Sequence, residues 1–213
     1  MKYGTKAHAK KVCEILDALF PDAGCELRFY SPLELLIATI LSAQCTDARV
    51  NIVTQDLFQK YKTAQDYATA PLEALENDIH STGFYHNKAK NIRACCQILV
   101  EKYHGEVPKE MDALVALPGV GRKTANCVRG SAFGLADGVV VDTHVSRISQ
   151  KMGLTQETTP EKIERDLMKI VPQEKWIQIS HQMILLGRSV CPARSPKCAD
   201  CPVTVCQARN AQR

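Results

Sequence analysis

Four cysteines near the C-terminus have the spacing of a metal-binding loop. Cys191, Cys198, Cys201 and Cys206 lie within sixteen residues, in the pattern C-x6-C-x2-C-x4-C. A pair of zinc knuckles would show two C-x2-C steps, and only the step from Cys198 to Cys201 has that length. Four thiolates from one loop can also hold an iron–sulfur cluster. The spacing therefore predicts a metal centre and leaves both zinc and iron–sulfur open.

A second candidate site is the glycine-containing segment LPGVGRKTAN at residues 117–126. Gly119 and Gly121 permit backbone conformations that other residues avoid, and they leave backbone N–H groups uncovered. A helix that begins after Gly121 would add its own unpaired N–H groups and the positive end of its dipole, a combination that binds phosphate. The alternative is a tight helix–helix connection in which the glycines only close the turn. The spacing differs from that of the nucleotide-binding P-loop.

Lys123 would lie in the first turn of that helix. The positive end of the helix dipole and the neighbouring Arg122 disfavour a charged lysine, which favours a neutral amine that can attack as a nucleophile. The alternative is a lysine that stays charged and binds phosphate. Both interpretations predict DNA or another phosphorylated partner.

Asp142, in the sequence VVVDTH, is a third candidate. It follows an apolar run and precedes a predicted helix, so the simplest role for its side chain is to cap that helix, which Thr143 could do equally well. A partly buried carboxylate could also stabilise a developing cation or move protons for Lys123. His144 is interpreted as a structural hydrogen-bonding residue.

Helical periodicity extends through nearly the whole chain and must position these residues. Ser31, Pro32 and Glu34 form a predicted capping box that begins an apolar helix ending near Ser42. Further helices are predicted after Thr46 and Pro71 and over residues 89–103, 111–117, 123–133, 143–152, 160–171 and 174–187. The β-branched run 138–141 is expected to be an extended linker, because a lone strand has no partner. The predicted fold class is all-α.

Composition and charge narrow the class of protein. The 213-residue chain is 45% hydrophobic and 23% charged, as is usual for globular domains. No apolar run approaches the roughly 20 residues of a membrane helix and no secretory signal is visible, so we expect a cytosolic protein with no membrane partner and reduced spare cysteines. The net charge of +4 falls on the segment from Arg188 onward, which suggests a polyanionic partner or, alternatively, a solvated tail.

Together these motifs resemble those of the endonuclease III family of DNA glycosylases, part of the helix-hairpin-helix superfamily. The resemblance rests on residues 117–126, on the four C-terminal cysteines and on four short segments that match in order. Those segments are LSAQCTD at 41–47, GFYHNKA at 83–89, GEVP at 105–108 and VDTH at 141–144. The resemblance covers nearly the whole chain, from about Leu27 to Cys206.

The resemblance implies two helical domains flanking a DNA-binding cleft. Residues 25–135 would form a six-helix domain containing the helix-hairpin-helix, and residues 1–24 with 136–213 a cluster domain that ends in a [4Fe–4S] loop. The four C-terminal cysteines would be its ligands, which favours iron–sulfur over zinc. A cluster in its 2+ state with four thiolates carries a charge of about −2, so the basic segment would retain about +2. A monomer is expected, in the cytoplasm and associated with the nucleoid in a bacterium.

The implied activity is that of a bifunctional DNA glycosylase and AP lyase of base excision repair, acting on oxidised pyrimidines and abasic sites in double-stranded DNA. Lys123 matches the family's nucleophile, which forms a Schiff base and cleaves the strand 3′ to the abasic site by β-elimination, and Asp142 matches its catalytic aspartate. Gln44 matches the residue that fills the gap in the duplex. Phe84 matches an apolar wedge, with a core aromatic as the alternative. The predicted DNA contacts are Gln44, Phe84, Gly119, Val120, Gly121, Arg122, Thr124, Arg194 and Lys197.

Two features depart from the family pattern. The last cysteine step is x4 where x5 is common, and the stretch from Lys123 to Asp142 is one residue longer, which a loop near residues 135–138 can absorb. Two other functions fit part of the pattern. A monofunctional adenine glycosylase would lack the hairpin lysine and carry a catalytic carboxylate on the helix before Gln44, where only Glu34 is present. A non-catalytic, cluster-bearing DNA-binding module would use the hairpin for phosphates alone.

Overall fold

The computed structural model describes residues 2–211, and all regular secondary structure in that range is helical. The twelve α-helices are α1 (Lys6–Leu19), α2 (Pro32–Leu41), α3 (Asp47–Lys60), α4 (Ala64–Thr69), α5 (Leu72–Ile79), α6 (Tyr85–Tyr103), α7 (Met111–Val115), α8 (Arg122–Phe133), α9 (Thr143–Met152), α10 (Pro160–Ile170), α11 (Trp176–Ser189) and α12 (Gln207–Asn210). Short 3-10 turns occupy His80–Thr82 and Gln173–Lys175. The predicted all-α class is confirmed. No helix within the described range is long and apolar enough to span a membrane.

The chain forms two compact units. One, here called the continuous unit, is Cys25–Leu135; the other, the split unit, combines the residues up to Gly24 with those from Ala136 onward. Each unit has its own hydrophobic core. Helices α2 to α8 belong to the continuous unit, and α1 with α9 to α12 to the split unit.

Helix α2 lies at the centre of the continuous unit. Six of its ten residues are buried, around the helix rather than along one stripe. Its start follows the prediction in part: the Ser31 hydroxyl accepts a hydrogen bond from the Glu34 N–H at 3.2 Å, and Pro32 occupies the first turn. The capping box itself is incomplete, because the Glu34 carboxylate accepts from the Tyr30 N–H and not from the Ser31 N–H. Helix α2 packs against α8, and α4 and α5 pack against α6. This packing holds α8, which carries Lys123, against the helix that leads to Gln44.

Helix α11 organises the split unit. It packs against α9 and against the N-terminal helix α1, while α12 packs on α9. At the α1–α11 contact, the Asp17 carboxylate accepts hydrogen bonds from Lys175 Nζ at 2.8 Å and from Gln182 Nε2 at 2.9 Å. The fully buried His8 ring lies 3.0 Å from the Val205 carbonyl oxygen. Both ends of the chain therefore contribute to this core.

Several elements differ from those predicted. Helix α7 ends at Val115 rather than at residue 117, because Leu117 already belongs to the turn that follows. The helix predicted over 174–187 begins with a 3-10 turn and continues to Ser189. Helix α4 was not predicted, since six residues are too few for a periodic stripe. Its capping box, in which the Thr63 and Asp66 side chains each bond the other's backbone, was the available signal.

Candidate functional site

The predicted phosphate-binding segment forms a helix-hairpin-helix from α7, a tight turn and α8. The Val120 N–H donates to the Leu117 carbonyl at 3.1 Å, which closes a turn with Pro118 and Gly119 at its centre. Gly119 has φ +78°, and a Cβ there would lie 3.0 Å from Asn91 Cβ. Only glycine fits this position without strain, because both the left-handed backbone and the close neighbour exclude a side chain.

The start of α8 exposes backbone donors. Gly121 is its N-cap, with φ −88° and ψ 173°, and no side chain caps the helix. The first bond within the helix joins the Ala125 N–H to the Gly121 carbonyl at 2.9 Å, so the N–H groups of the three residues before Ala125 have no acceptor inside the helix. Gly121 has an extended rather than left-handed backbone, and only Gly119 has the positive φ that the sequence suggested for both.

Lys123 is exposed in the first turn of α8. One turn further along the same helix lies Cys127, whose pKa is lowered to about 7. A hydrogen bond from Cys25 is the main cause, and Thr39, the positive charge of Lys123 and Ser131 add to it against the opposing effect of burial.

Gln44 and Phe84 lie at two exposed turns of the continuous unit. Both have a left-handed backbone, with φ 53° at Gln44 and 50° at Phe84. Phe84 is 62% exposed, which makes the predicted core-aromatic alternative wrong. Left-handed conformations are uncommon for residues with side chains and concentrate at functional sites. Gln44 and Phe84, which the resemblance to the family singled out, are therefore exposed side chains on turns with a strained backbone.

Asp142 belongs to the split unit and caps α9. Its Oδ1 accepts a hydrogen bond from the Val145 N–H at 2.8 Å, so Asp142 rather than Thr143 is the N-cap. The side chain is half-buried. The carboxylate therefore caps helix α9 through Oδ1.

The four C-terminal cysteines are half-buried thiols in one loop of the split unit. Burial raises the pKa of Cys191, the positive charges of Arg147 and Lys151 lower it, and Cys198 and Cys206 raise it by smaller amounts. Within residues 2–211, no three cysteine, histidine or acidic side chains converge closely enough to hold a single metal ion.

The loop between the first two of these cysteines presents two exposed cations. Lys197 donates its backbone N–H to the Val190 carbonyl at 2.9 Å, and the Cys198 N–H donates to Pro196 at 3.0 Å. These bonds close the loop and leave the side chains of Arg194 and Lys197 in solvent. Arg194 and Lys197 therefore form a small basic surface on this loop.

Arg147, on α9, was not predicted as a site residue. Its Nη1 donates to the Cys191 carbonyl and lies 3.8 Å from Cys191 Sγ, while Nη2 donates to the Gly187 carbonyl at 3.2 Å. A surface pocket beside it is lined by Thr143, His144, Arg147, Gly187, Arg188, Pro192 and Ala193. No sequence signal could have identified Arg147, because its partners are about forty residues away along the chain.

Comparison with known proteins identifies the family. The profile of HhH-GPD superfamily base excision DNA repair proteins matches residues 37–173. Endonuclease III of Synechocystis is 53% identical over 196 residues, which are 92% of this chain and 90% of that protein. Two solved endonuclease III–DNA complexes, one non-covalent and one a trapped covalent intermediate, are each 48% identical over 98% of both chains, with TM-scores of 0.90 and 0.91. The chain therefore belongs to the HhH-GPD superfamily of base excision DNA repair proteins and, within it, to the endonuclease III family.

Proposed function

We propose that this chain is a bifunctional DNA glycosylase and AP lyase of base excision repair. The observation that carries the proposal is the position of Lys123, an exposed amine in the first turn of a helix whose N-terminus no side chain caps. Lysine amines form Schiff bases with sugar aldehydes. Family membership supplies the reaction class, since a related endonuclease III forms a covalent intermediate with DNA.

The hairpin turn binds the DNA backbone. The uncapped N–H groups at the start of α8 donate to a phosphate, and the helix dipole favours its negative charge. Gly119 and Gly121 let the phosphate approach the backbone, and the buried Val120 between them anchors the turn to the core. Arg122 and Thr124 supply side-chain contacts. In the split unit, Arg194 and Lys197 bind phosphates through the basic loop.

Gln44 and Phe84 act on the base stack. The damaged nucleotide must leave the duplex before its C1′ can react, at a cost of a few kcal/mol that is smallest for a damaged base. Gln44 fills the gap that the nucleotide leaves, and the Phe84 ring enters between neighbouring bases. Both side chains are exposed on backbone turns that hold them away from the body of the unit.

Lys123 carries out the covalent chemistry. Its Nζ forms a bond to C1′ as the bond from C1′ to the base breaks; the base gains a proton and the amine loses one. The sugar ring opens to a Schiff base between Nζ and C1′. Loss of a proton from C2′ then breaks the C3′–O bond and cleaves the strand 3′ to the lesion. Water hydrolyses the Schiff base and frees the enzyme.

Asp142 supplies the carboxylate for proton transfer. It matches the family's catalytic aspartate, and the hydrogen bond from the Val145 N–H to Oδ1 fixes the orientation of the carboxylate.

A [4Fe–4S] cluster is the cofactor that fits the terminal loop. Four thiols are the soft donor set that such clusters take, and they would be Cys191, Cys198, Cys201 and Cys206. A tetrahedral zinc site needs all its sulfurs about 2.3 Å from one point, whereas a cluster spreads its ligands around a larger core. Membership of the endonuclease III family favours the cluster over zinc. Ligation by these four cysteines would hold the loop that carries Arg194 and Lys197 in one conformation for binding DNA.

The substrate is double-stranded DNA with oxidised pyrimidines or abasic sites, handled by a monomer in the cytoplasm. Adenine glycosylase activity is disfavoured by Glu34, the acid on the helix before Gln44. Its carboxylate accepts a hydrogen bond from the Tyr30 N–H at the helix start and is committed to the cap.

Borohydride trapping on abasic-site DNA tests the proposal. The wild type is expected to form a covalent adduct and to cleave the strand, whereas Lys123→Ala should do neither and still bind DNA. Lys162→Ala is the matched control, because Lys162 is also an exposed lysine in the first turn of a helix, α10. Absence of an adduct with the wild type would contradict the lyase function, and an adduct with Lys123→Ala would contradict the role of Lys123.

A further inference from the structure

The ammonium group of Lys88 is buried in the continuous unit. Lys88 is 4% exposed, and its Nζ donates hydrogen bonds to the Leu41 carbonyl at 2.8 Å and to the Thr82 carbonyl at 2.9 Å. Both acceptors are the last residues of helical segments, α2 and the 3-10 turn. Carbonyls at helix C-termini lack acceptor partners within the helix and carry partial negative charge, so they suit a cation.

Burying this cation is costly. Desolvation lowers the pKa of Lys88, and the only ionisable neighbour that opposes this effect, among the described residues, is the Cys45 thiol. A buried ammonium without a carboxylate is unfavourable relative to a well-packed apolar side chain. A purely structural need for bulk would therefore be met more easily by methionine or leucine. The two carbonyl bonds are what the ammonium provides.

These bonds connect the two turns that carry the exposed side chains. Leu41 is three residues before Gln44, and Thr82 is two residues before Phe84. The backbone N–H of Lys88 also donates to the Phe84 carbonyl at 3.1 Å. One residue thus fixes the Phe84 turn from both sides and joins it to the end of the helix that leads to Gln44.

We propose that Lys88 is a positioning residue that holds Gln44 and Phe84 at a set separation, so that both enter a damaged duplex together. This inference rests on the proposed DNA-repair function. Lys88 itself would touch neither DNA nor the reacting atoms. Without the ammonium, each turn would keep its own strained backbone but lose its fixed relation to the other. The rate at which the enzyme opens the duplex would then fall, whereas the rate of the reaction at Lys123 would not change.

Single-stranded abasic DNA separates these two steps. Its sugar aldehyde is already accessible, so cleavage needs Lys123 but neither gap filling nor a wedge. Cleavage of duplex abasic DNA needs Lys123, the gap-filling side chain and the wedge. The ratio of duplex to single-strand cleavage rates therefore reports on the two turns, whereas a general loss of folding lowers both rates together.

Lys88→Met tests the inference, with Lys90→Met as control, because Lys90 is exposed on the same helix. We expect Lys88→Met to lower the duplex to single-strand ratio by about tenfold to a hundredfold, mainly through kcat at saturating DNA, since small misplacements have effects of that size. Lys90→Met should leave the ratio unchanged. Lys88→Arg, which keeps donors, should recover part of the loss. An unchanged ratio, or a parallel loss on both substrates, would overturn the inference.

A double-mutant background makes the test independent of stability. In a variant that already carries Gln44→Ala and Phe84→Ala, nothing remains for Lys88 to position, and adding Lys88→Met should change the ratio by less than about twofold. A further large fall would show that Lys88 acts elsewhere. Different results would contradict the two proposals. A wild type that forms no adduct on either substrate contradicts the enzyme function. An active wild type whose cleavage ratio does not change on Lys88→Met substitution contradicts the positioning role alone.

Discussion

Gln44 and Phe84 share a left-handed backbone, with φ 53° and 50°, on two turns that Lys88 joins through the Leu41 and Thr82 carbonyls. Neither residue is a glycine, and a left-handed conformation costs a residue with a side chain roughly 1–2 kcal/mol. Both side chains are exposed, so little buried contact repays that cost. The proposed action of both side chains on the base stack supplies a reason for keeping this strain.

Replacing Phe84 should separate strain from function. Phe84→Gly relieves the left-handed strain and Phe84→Ala does not, so the glycine variant should be more stable than the alanine variant by about 1 kcal/mol. Both should cleave damaged duplex DNA more slowly than the wild type. Urea unfolding measures the first effect and duplex cleavage the second. Equal stabilities of the two variants would show that the turn is not strained.

The hairpin glycines should differ in their tolerance of alanine. Gly119→Ala places a Cβ 3.0 Å from Asn91 Cβ on a backbone with φ +78°, and should lower the free energy of unfolding by about 2 kcal/mol or more. Gly121→Ala has no atom within 4 Å of the new Cβ and a negative φ, so its cost should stay below about 1 kcal/mol. Thermal unfolding compares the pair, and equal losses would contradict the turn geometry.

The contact of Asp17 with helix α11 should make stability depend on pH. Burial raises the pKa of Asp17, but hydrogen bonds from Lys175 and Gln182 lower it by more, so it lies below the ordinary value. Its contribution to stability is present above the unfolded-state pKa of about 3.9 and is lost as the pH falls through the folded-state pKa. Asp17→Asn should therefore cost about 0.5–1 kcal/mol near pH 7 and almost nothing in strong acid.

Denaturation curves at pH 7 and at pH 3 measure this difference. Asp22→Asn provides the control, since Asp22 is an exposed acid in the turn just after α1. A difference between wild type and Asp17→Asn that grows in acid would contradict the assigned sign.

Arg147 should protect the proposed cluster. Its guanidinium bonds the Cys191 and Gly187 carbonyls and lies 3.8 Å from Cys191 Sγ, so it fixes one thiol ligand and offsets negative charge. Arg147→Leu should lose its visible iron–sulfur absorbance in air at least several-fold faster than the wild type. Arg165→Leu, an exposed arginine on α10, is the control. Identical rates of bleaching would contradict a role for Arg147 at the cluster.

The sequence alone determined the helical class, the hairpin segment and the four-cysteine loop. Each of these depends on neighbours within a few residues: apolar spacing selects a helix, Pro118 and Gly119 select the turn, and the cysteine spacing places four thiols in one loop. Lys123 could be singled out for the same reason, because its position in the first turn of a helix is a local property.

Only the tertiary structure decided which residues support the site from a distance. Lys88 bonds a carbonyl 47 residues away, and Arg147 one 44 residues away, and no local pattern encodes either pairing. The left-handed turns at Gln44 and Phe84 are likewise set by the packing around them, since neither residue type favours that conformation. Local spacing thus predicts the chemical groups, whereas long-range packing fixes where they are held.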